Sequence, residues 1–168
     1  MQDDNQARER LWQLVKSHRF AMLTTRRDDD ALHARPMTTI EHAGDDSLWF
    51  FAKTDMSVSE DLEHHSQVCL SYSETSKPDF VCVSGEAAVV SDVAKKRALW
   101  TKAVQAWFPE GPDAPNVVLI KVQPQHAEYW DTKSNKLVQL FSYAKAVASG
   151  KPPRNLGEHR DVPLGRRS

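Results

Sequence analysis

The sequence predicts a mainly β chain of the α+β class, in which six or seven short antiparallel strands build a barrel with helices at its periphery. Two observations lead there. Several stretches of five to eight residues alternate apolar and polar side chains, and polar or glycine-containing turns separate the first of them at hairpin spacing. The three or four helical stretches do not alternate strictly with the strands, so a βαβ parallel sheet does not fit and an antiparallel barrel does. At 168 residues the chain suffices for one core without disulfides or a structural metal. One domain is expected over 1–150, followed by a tail over 151–168.

The elements follow in order. An opening helix from about Gln6 to Ser17 carries Leu11, Leu14 and Val15 on one face. Phe20 to Thr25 reads as a strand, the polar run Arg26 to Asp30 as a hairpin turn, and His33 to Ile40 as the returning strand. A second turn at Ala43 to Asp46 leads into Ser47 to Ala52, so the first three strands are expected to meander. A short helix containing Val58 and Leu62 precedes strands Val68 to Tyr72 and Phe80 to Val90, the latter with a bulge or bend at Gly85. Asp92 offers an N-cap to one helix bearing Val93, Trp100, Val104 and Trp107, which ends at Phe108 to Pro112. Val117 to Val122 and Ala127 to Trp130 supply the last strands. A final helix from about Asn135 to Ser149 would bury Leu137, Leu140, Phe141 and Ala144, with Gly150, Pro152 and Pro153 as its stop. The tail beyond is expected to pack little.

Composition removes several classes of function. Lys and Arg number 22 against 23 Asp and Glu, so no charge excess points to nucleic acid or a membrane surface. No apolar run approaches a membrane span and the N-terminus has no signal-like apolar region, which makes a cytoplasmic protein the expectation. Cys69 and Cys82 lie inside alternating apolar stretches without Cys-x-x-Cys spacing and read as core thiols rather than a redox dithiol. The seven histidines are scattered. The adjacent pair His64 and His65 would point apart on a helix, so no metal site is expected. GxGxxG, GxxxxGK[ST] and GxSxG are all missing, which removes the dinucleotide fingerprint, the phosphate loop and the nucleophile elbow.

Seven segments taken together resemble the general stress protein 26 branch of the pyridoxamine 5'-phosphate oxidase-like split-barrel superfamily. They are Leu23-Thr24-Thr25, Leu32 to Met37, Leu48 to Phe51, Val68 to Tyr72, Val83-Ser84-Gly85, Ala127 to Asp131 and Asn155 to His159. Their order and spacing span about Phe20 to Leu164. The resemblance implies a split barrel that dimerises with itself and holds FMN, with FAD as the other option, in a cleft between two copies. It also implies candidate ligands: Arg35 as a charged fork for the ribityl phosphate, and Trp130 near the isoalloxazine.

The residues themselves add to this. Pro36 lacks a backbone donor, so it belongs at a sheet edge or a bulge, where amides around Met37 and Thr38 are free to meet a ligand. The bland alternative for Arg35 is a pair with an acid such as Glu41 or Glu86. Phe51, Ala52 and Lys53 run into a helix start at which Lys53 and Ser57 are phosphate candidates. Relatives usually carry Lys where this chain has Val58, which otherwise packs in the core with Leu62. Trp107 and Phe108 either reach the ligand or dimer seam from the second copy, or fill the core. The segment after Trp130, Asp131 to Asn135, is short and less basic than the pyridoxal phosphate-binding stretch of the true oxidases, so vitamin B6 oxidase activity is not expected. A flavin-dependent oxidoreductase acting on a small substrate is the leading expectation, with no residue set assigned as catalytic. A flavin carrier or redox sensor without turnover, and a ligand-free dimeric interaction module, are the alternatives.

Overall fold

The computed structural model describes residues 2–40, 46–74, 77–131, 145 and 158–164. Seven strands form one antiparallel sheet: β1 (Phe20–Arg26), β2 (Leu32–Thr38), β3 (Leu48–Lys53), β4 (Gln67–Glu74), β5 (Lys77–Val90), β6 (Val117–Asp131) and β7 (Glu158–Pro163). The order is β2-β1-β4-β5-β6-β3, and β7 also pairs with β6. Strand β6 shares one edge between two neighbours, with β3 along Val117 to Val122 and β7 along His126 to Asp131. Pro124, which cannot donate to a ladder, falls between the two pairings. Opposite it the register shifts at Ser84 and Gly85. A Cβ at Gly85 would stand 2.2 Å from the Gln123 carbonyl oxygen, so this close approach requires glycine.

The sheet does not close. Strands β2 and β3 are its two ends, and among the described residues the only ladder link between them is the single bridge Ile40–Trp49. The concave face is filled by alternating residues such as Leu23, Leu70, Val83, Ile120 and Ala127. Helix α1 (Gln2–Ser17) adds Leu11, Leu14 and Val15, and α2 (Ser57–His64) adds Val58 and Leu62. A second cluster lies where β3 and β6 meet α3 (Val93–Leu99) and α4 (Lys102–Trp107), and joins Trp49, Phe51, Val117 and Leu119 to Leu99 and Val104. Strand β3 is thus buried on both faces, which explains its unbroken apolar run.

Four sequence expectations change. The meander stops after β2, because β3 crosses to pair with β6. The helix predicted to run from Val93 to Trp107 is two helices. It breaks at Trp100, where Thr101 caps α4 by accepting from the Val104 amide at 3.2 Å, as Asp92 caps α3 from Lys95 at 3.0 Å. The last two predicted strands are one, β6. The tail packs as β7, where Val162 and Leu164 are buried and the Leu164 amide donates to the Gln125 carbonyl at 2.9 Å. The turn at 43–45, the helix over 135–149 with its stop signals, and Asn155 to Gly157 lie outside the described residues.

Candidate functional site

The split between β2 and β3 organises most of the predicted ligand residues. Arg35, Pro36, Met37 and Thr38 stand on β2, an edge strand, as Pro36 demands. Phe51, Ala52 and Lys53 stand on β3, the other end of the sheet, and Ser57 opens the helix that follows. Helix α2 ties both ends together. The Ser59 hydroxyl donates to the Lys53 carbonyl at 2.8 Å, while Asp61 takes Arg35 from β2 and Thr25 from β1.

That second tie is buried. Arg35 and Asp61 pair at 2.7 Å with side chains 11% and 8% exposed. The Thr25 hydroxyl donates to the same Asp61 oxygen at 2.5 Å and accepts from Arg35 at 2.8 Å, and His33 Nδ1 lies 2.7 Å from the guanidinium. Burial pushes the Asp61 carboxyl up, but the Thr25 hydroxyl and Arg35 outweigh it and hold the group below the usual carboxylate range. Of the two acids considered above, Glu86 instead accepts from Gln67 at 3.1 Å, and Glu41 lies outside the described residues. Arg35 Nε is buried without a hydrogen-bond acceptor among the described residues. Such an unpaired N–H is costly, and an incoming acceptor atom would relieve it.

At the β3 end, Lys53 pairs with Glu110 at 2.5 Å, and this contact holds the Glu110 carboxyl below its usual range. Ser57 is exposed at the first turn of α2. Val58 is fully buried in the main core beside Leu62. The Phe51 ring points the other way, edge-on to Trp100 at 5.1 Å and tilted against Phe108 at 5.9 Å. The side chains of Phe51 and Phe108 pack in the second core cluster, Phe51 buried and Phe108 partly exposed at its edge.

Trp130 lies on the convex face of β6, beyond the stretch that pairs with β3 and beside β7, so β6 adjoins one end of the split while β2, the other end, is four strand steps away along the sheet. Its ring stacks on His159 at 4.9 Å. Around it the convex face is unusually apolar: Phe20 is 55% exposed, Phe80 48%, Met22 43% and Trp130 38%. Trp107, at the end of α4, is 77% exposed and belongs to neither core cluster.

Two groupings on that convex face escaped sequence reasoning. Cys69 and Cys82 are diagonal neighbours on β4 and β5 with sulfurs 3.3 Å apart, half-buried rather than in the core. Burial, then Cys69, push the Cys82 thiol up to about 11. His126 and Glu128 on β6 meet His159 and Asp161 on β7. The available signal is two-residue spacing, His-x-Glu and His-x-Asp, which the sequence shows in two segments far apart and which only the β6–β7 pairing brings together. His64 and His65 do not point apart: His65 lies beyond the helix end, and each has a ring nitrogen within 4 Å of Asp28.

Comparison with known proteins agrees with this architecture. The chain is similar to the protein bli-3 of Neurospora crassa, 28% identical over 148 residues that cover 82% of this chain and 71% of that one. It is similar to the general stress FMN/FAD binding protein of Xanthomonas citri, with a TM-score of 0.66 and 32% identity, covering 76% of this chain and 89% of the other. A structure from Jannaschia sp. CCS1, named as a general stress protein 26, superposes with a TM-score of 0.75 over 95% of this chain and 99% of its own; at 19% identity that likeness concerns the fold. The profile of pyridoxamine 5'-phosphate oxidase-like proteins matches residues 6–154, and with the split sheet described above this places the chain in the pyridoxamine 5'-phosphate oxidase-like family.

Proposed function

We propose that the chain is an FMN-binding protein that acts as a homodimer, and that bound FMN makes it an oxidoreductase for a small substrate in the cytoplasm. The observation that carries this is the split itself: two unclosed sheet ends, held by one bridge, flank Arg35 with its unsatisfied buried Nε. An anionic or acceptor-rich ligand suits that opening. The 32% identical relative named for FMN/FAD binding supports a flavin there.

Backbone groups of Pro36 to Thr38 on the free side of β2 are the hydrogen-bonding edge for a planar ring. Arg35, Lys53 and Ser57 form the anion end, with backbone from Phe51 and Ala52. A second copy completes the site. Trp130, and with it Trp107 and Phe108, reach the opening from that copy, since Trp130 faces away from the core of its own chain and is 38% exposed. Phe20, Met22 and Phe80 then lose water against the same copy, and apolar exposure of this kind favours association. When bound, the flavin supplies hydride or electron transfer, and the protein's part is to position it and exclude water.

A second function, a ligand-free dimeric module, is favoured by one set of contacts. Val58 is sealed in the core, and both cations at the anion end already hold carboxylates. Titration of FMN and FAD fluorescence with the purified chain separates the two. Saturable quenching at one flavin per chain, with a dimer in sedimentation at micromolar protein, is expected. A dimer with no saturable binding of either flavin assigns the module instead, and a monomer removes the shared site. Bleaching of the bound flavin by NADH or NADPH distinguishes an enzyme from a carrier or sensor.

A further inference from the structure

The paired strands β6 and β7 carry two donor-x-donor sequences, His126-Ala127-Glu128 and His159-Arg160-Asp161. Two-residue alternation puts each pair on one face of its strand. The register sets Glu128 directly opposite Asp161, with His126 and His159 at the flanking positions. His126 Nδ1 lies 3.4 Å from Asp161 Oδ1, and its Nε2 lies 3.7 Å from Glu128 Oε1. His159 Nε2 lies 3.8 Å from the other Glu128 oxygen. One donor atom each from His126, Glu128 and Asp161 fall within 4.8 Å of one another.

We propose that these residues form a binding site for a divalent transition-metal cation, with His126, Glu128 and Asp161 as ligands and His159 as the fourth donor. Three physical points support it. Two carboxylates facing each other directly across an antiparallel pair repel, and a cation between them removes that cost. His126, Glu128 and Asp161 each offer one donor atom within 4.8 Å of the others and do not hydrogen-bond one another, so small side-chain adjustments reach the ~3.4 Å between donors around a tetrahedral ion with bonds of ~2.1 Å, while His159 stands 3.8 Å from Glu128. His159 is held flat against Trp130, its ring tilted only 6° from the indole, which fixes an imidazole beside Glu128. A mixed imidazole and carboxylate set suits Zn²⁺, Co²⁺ or Ni²⁺, whereas Mg²⁺ and Ca²⁺ favour oxygen donors alone. The ligands stand on β6 and β7 rather than on the strands that border the split, and the ion needs no flavin to bind.

The test is titration of the chelator-treated full chain with Zn²⁺ against a chromophoric zinc indicator, in the absence of flavin. One Zn²⁺ per chain is expected, undisturbed by millimolar Mg²⁺, with a rise in Tm on loading. Glu128→Gln and His126→Gln should each lower affinity at least tenfold. Asp161→Asn, at an exposed position where the fold is not at risk, should do the same. His65→Ala should leave binding unchanged, because His64, His65 and Asp28 form the other histidine grouping. Absence of stoichiometric Zn²⁺ binding, binding indifferent to the three ligand variants, or its loss in His65→Ala would overturn the proposal.

Discussion

Replacing Arg35 by Met tests the buried tie between β2 and α2. The substitution keeps much of the side-chain volume but leaves the Asp61 carboxylate, 8% exposed, with the Thr25 hydroxyl as its remaining donor. Breaking a buried pair from one side costs about 3–5 kcal/mol, and solvent screening does not discount it at an exposure this low. A chain of this size loses roughly 2–4 °C of Tm per kcal/mol, so calorimetry should show a fall of about 6–20 °C. Asp61→Asn combined with Arg35→Met should recover part of the loss, because no charge is then stranded. The acid limb gives a second readout. The folded Asp61 carboxyl titrates below its unfolded value of about 3.9, so its contribution is complete above that pH and disappears as pH falls through the folded value. Asp61→Asn should flatten this part of the stability curve. A loss below about 1 kcal/mol for Arg35→Met, together with an unchanged acid limb in Asp61→Asn, would refute the buried-pair account.

Three further outcomes are expected. Gly85→Ala forces a methyl onto the Gln123 carbonyl and the Pro124 Cα, and should cost at least ~1–3 kcal/mol in urea unfolding; a wild-type midpoint would contradict the close approach. The Cys82 thiol, raised to about 11, stays protonated at neutral pH, so its alkylation by iodoacetamide, followed by mass spectrometry, should still be rising steeply above about pH 10; a plateau by about pH 10, as for an ordinary thiol, would disprove the shift. Trp107→Ala should change stability by less than ~0.5 kcal/mol, since the ring is mostly exposed, yet weaken flavin binding if the ring serves the second copy's site. Unchanged flavin affinity would remove Trp107 from the site.

Local chemistry was legible in the sequence wherever one residue decides the outcome. Pro36 marked an edge or a bulge and stands on an edge strand, Gly85 marked a bulge or bend and stands at the register shift, and Asp92 marked the cap it makes. What stayed hidden depends on pairing between distant segments. Ser47 to Ala52 has the same pattern whether it neighbours β2 or β6, and only burial on both faces selects β6. Glu158 to Leu164 carries a weak apolar signal because only Val162 and Leu164 in it are buried, and the β6 ladder that also holds it is invisible in one segment's pattern. Missing that strand concealed the histidine and carboxylate cluster. Missing the β4–β5 register concealed the contact of Cys69 with Cys82. At the candidate site the sequence located Arg35 but not its acid, because Asp61 sits on the helix face of Val58 and Leu62, which apolar spacing marks as core.

The central claim, a flavin held at the split of a two-copy barrel, is tested most directly by one visible spectrum. The purified chain is mixed with excess FMN, or separately FAD, desalted, and scanned. Flavin absorption that stays with the protein at one equivalent per chain, and elutes with a dimer, is the predicted result. A colourless protein after both treatments would contradict the claim.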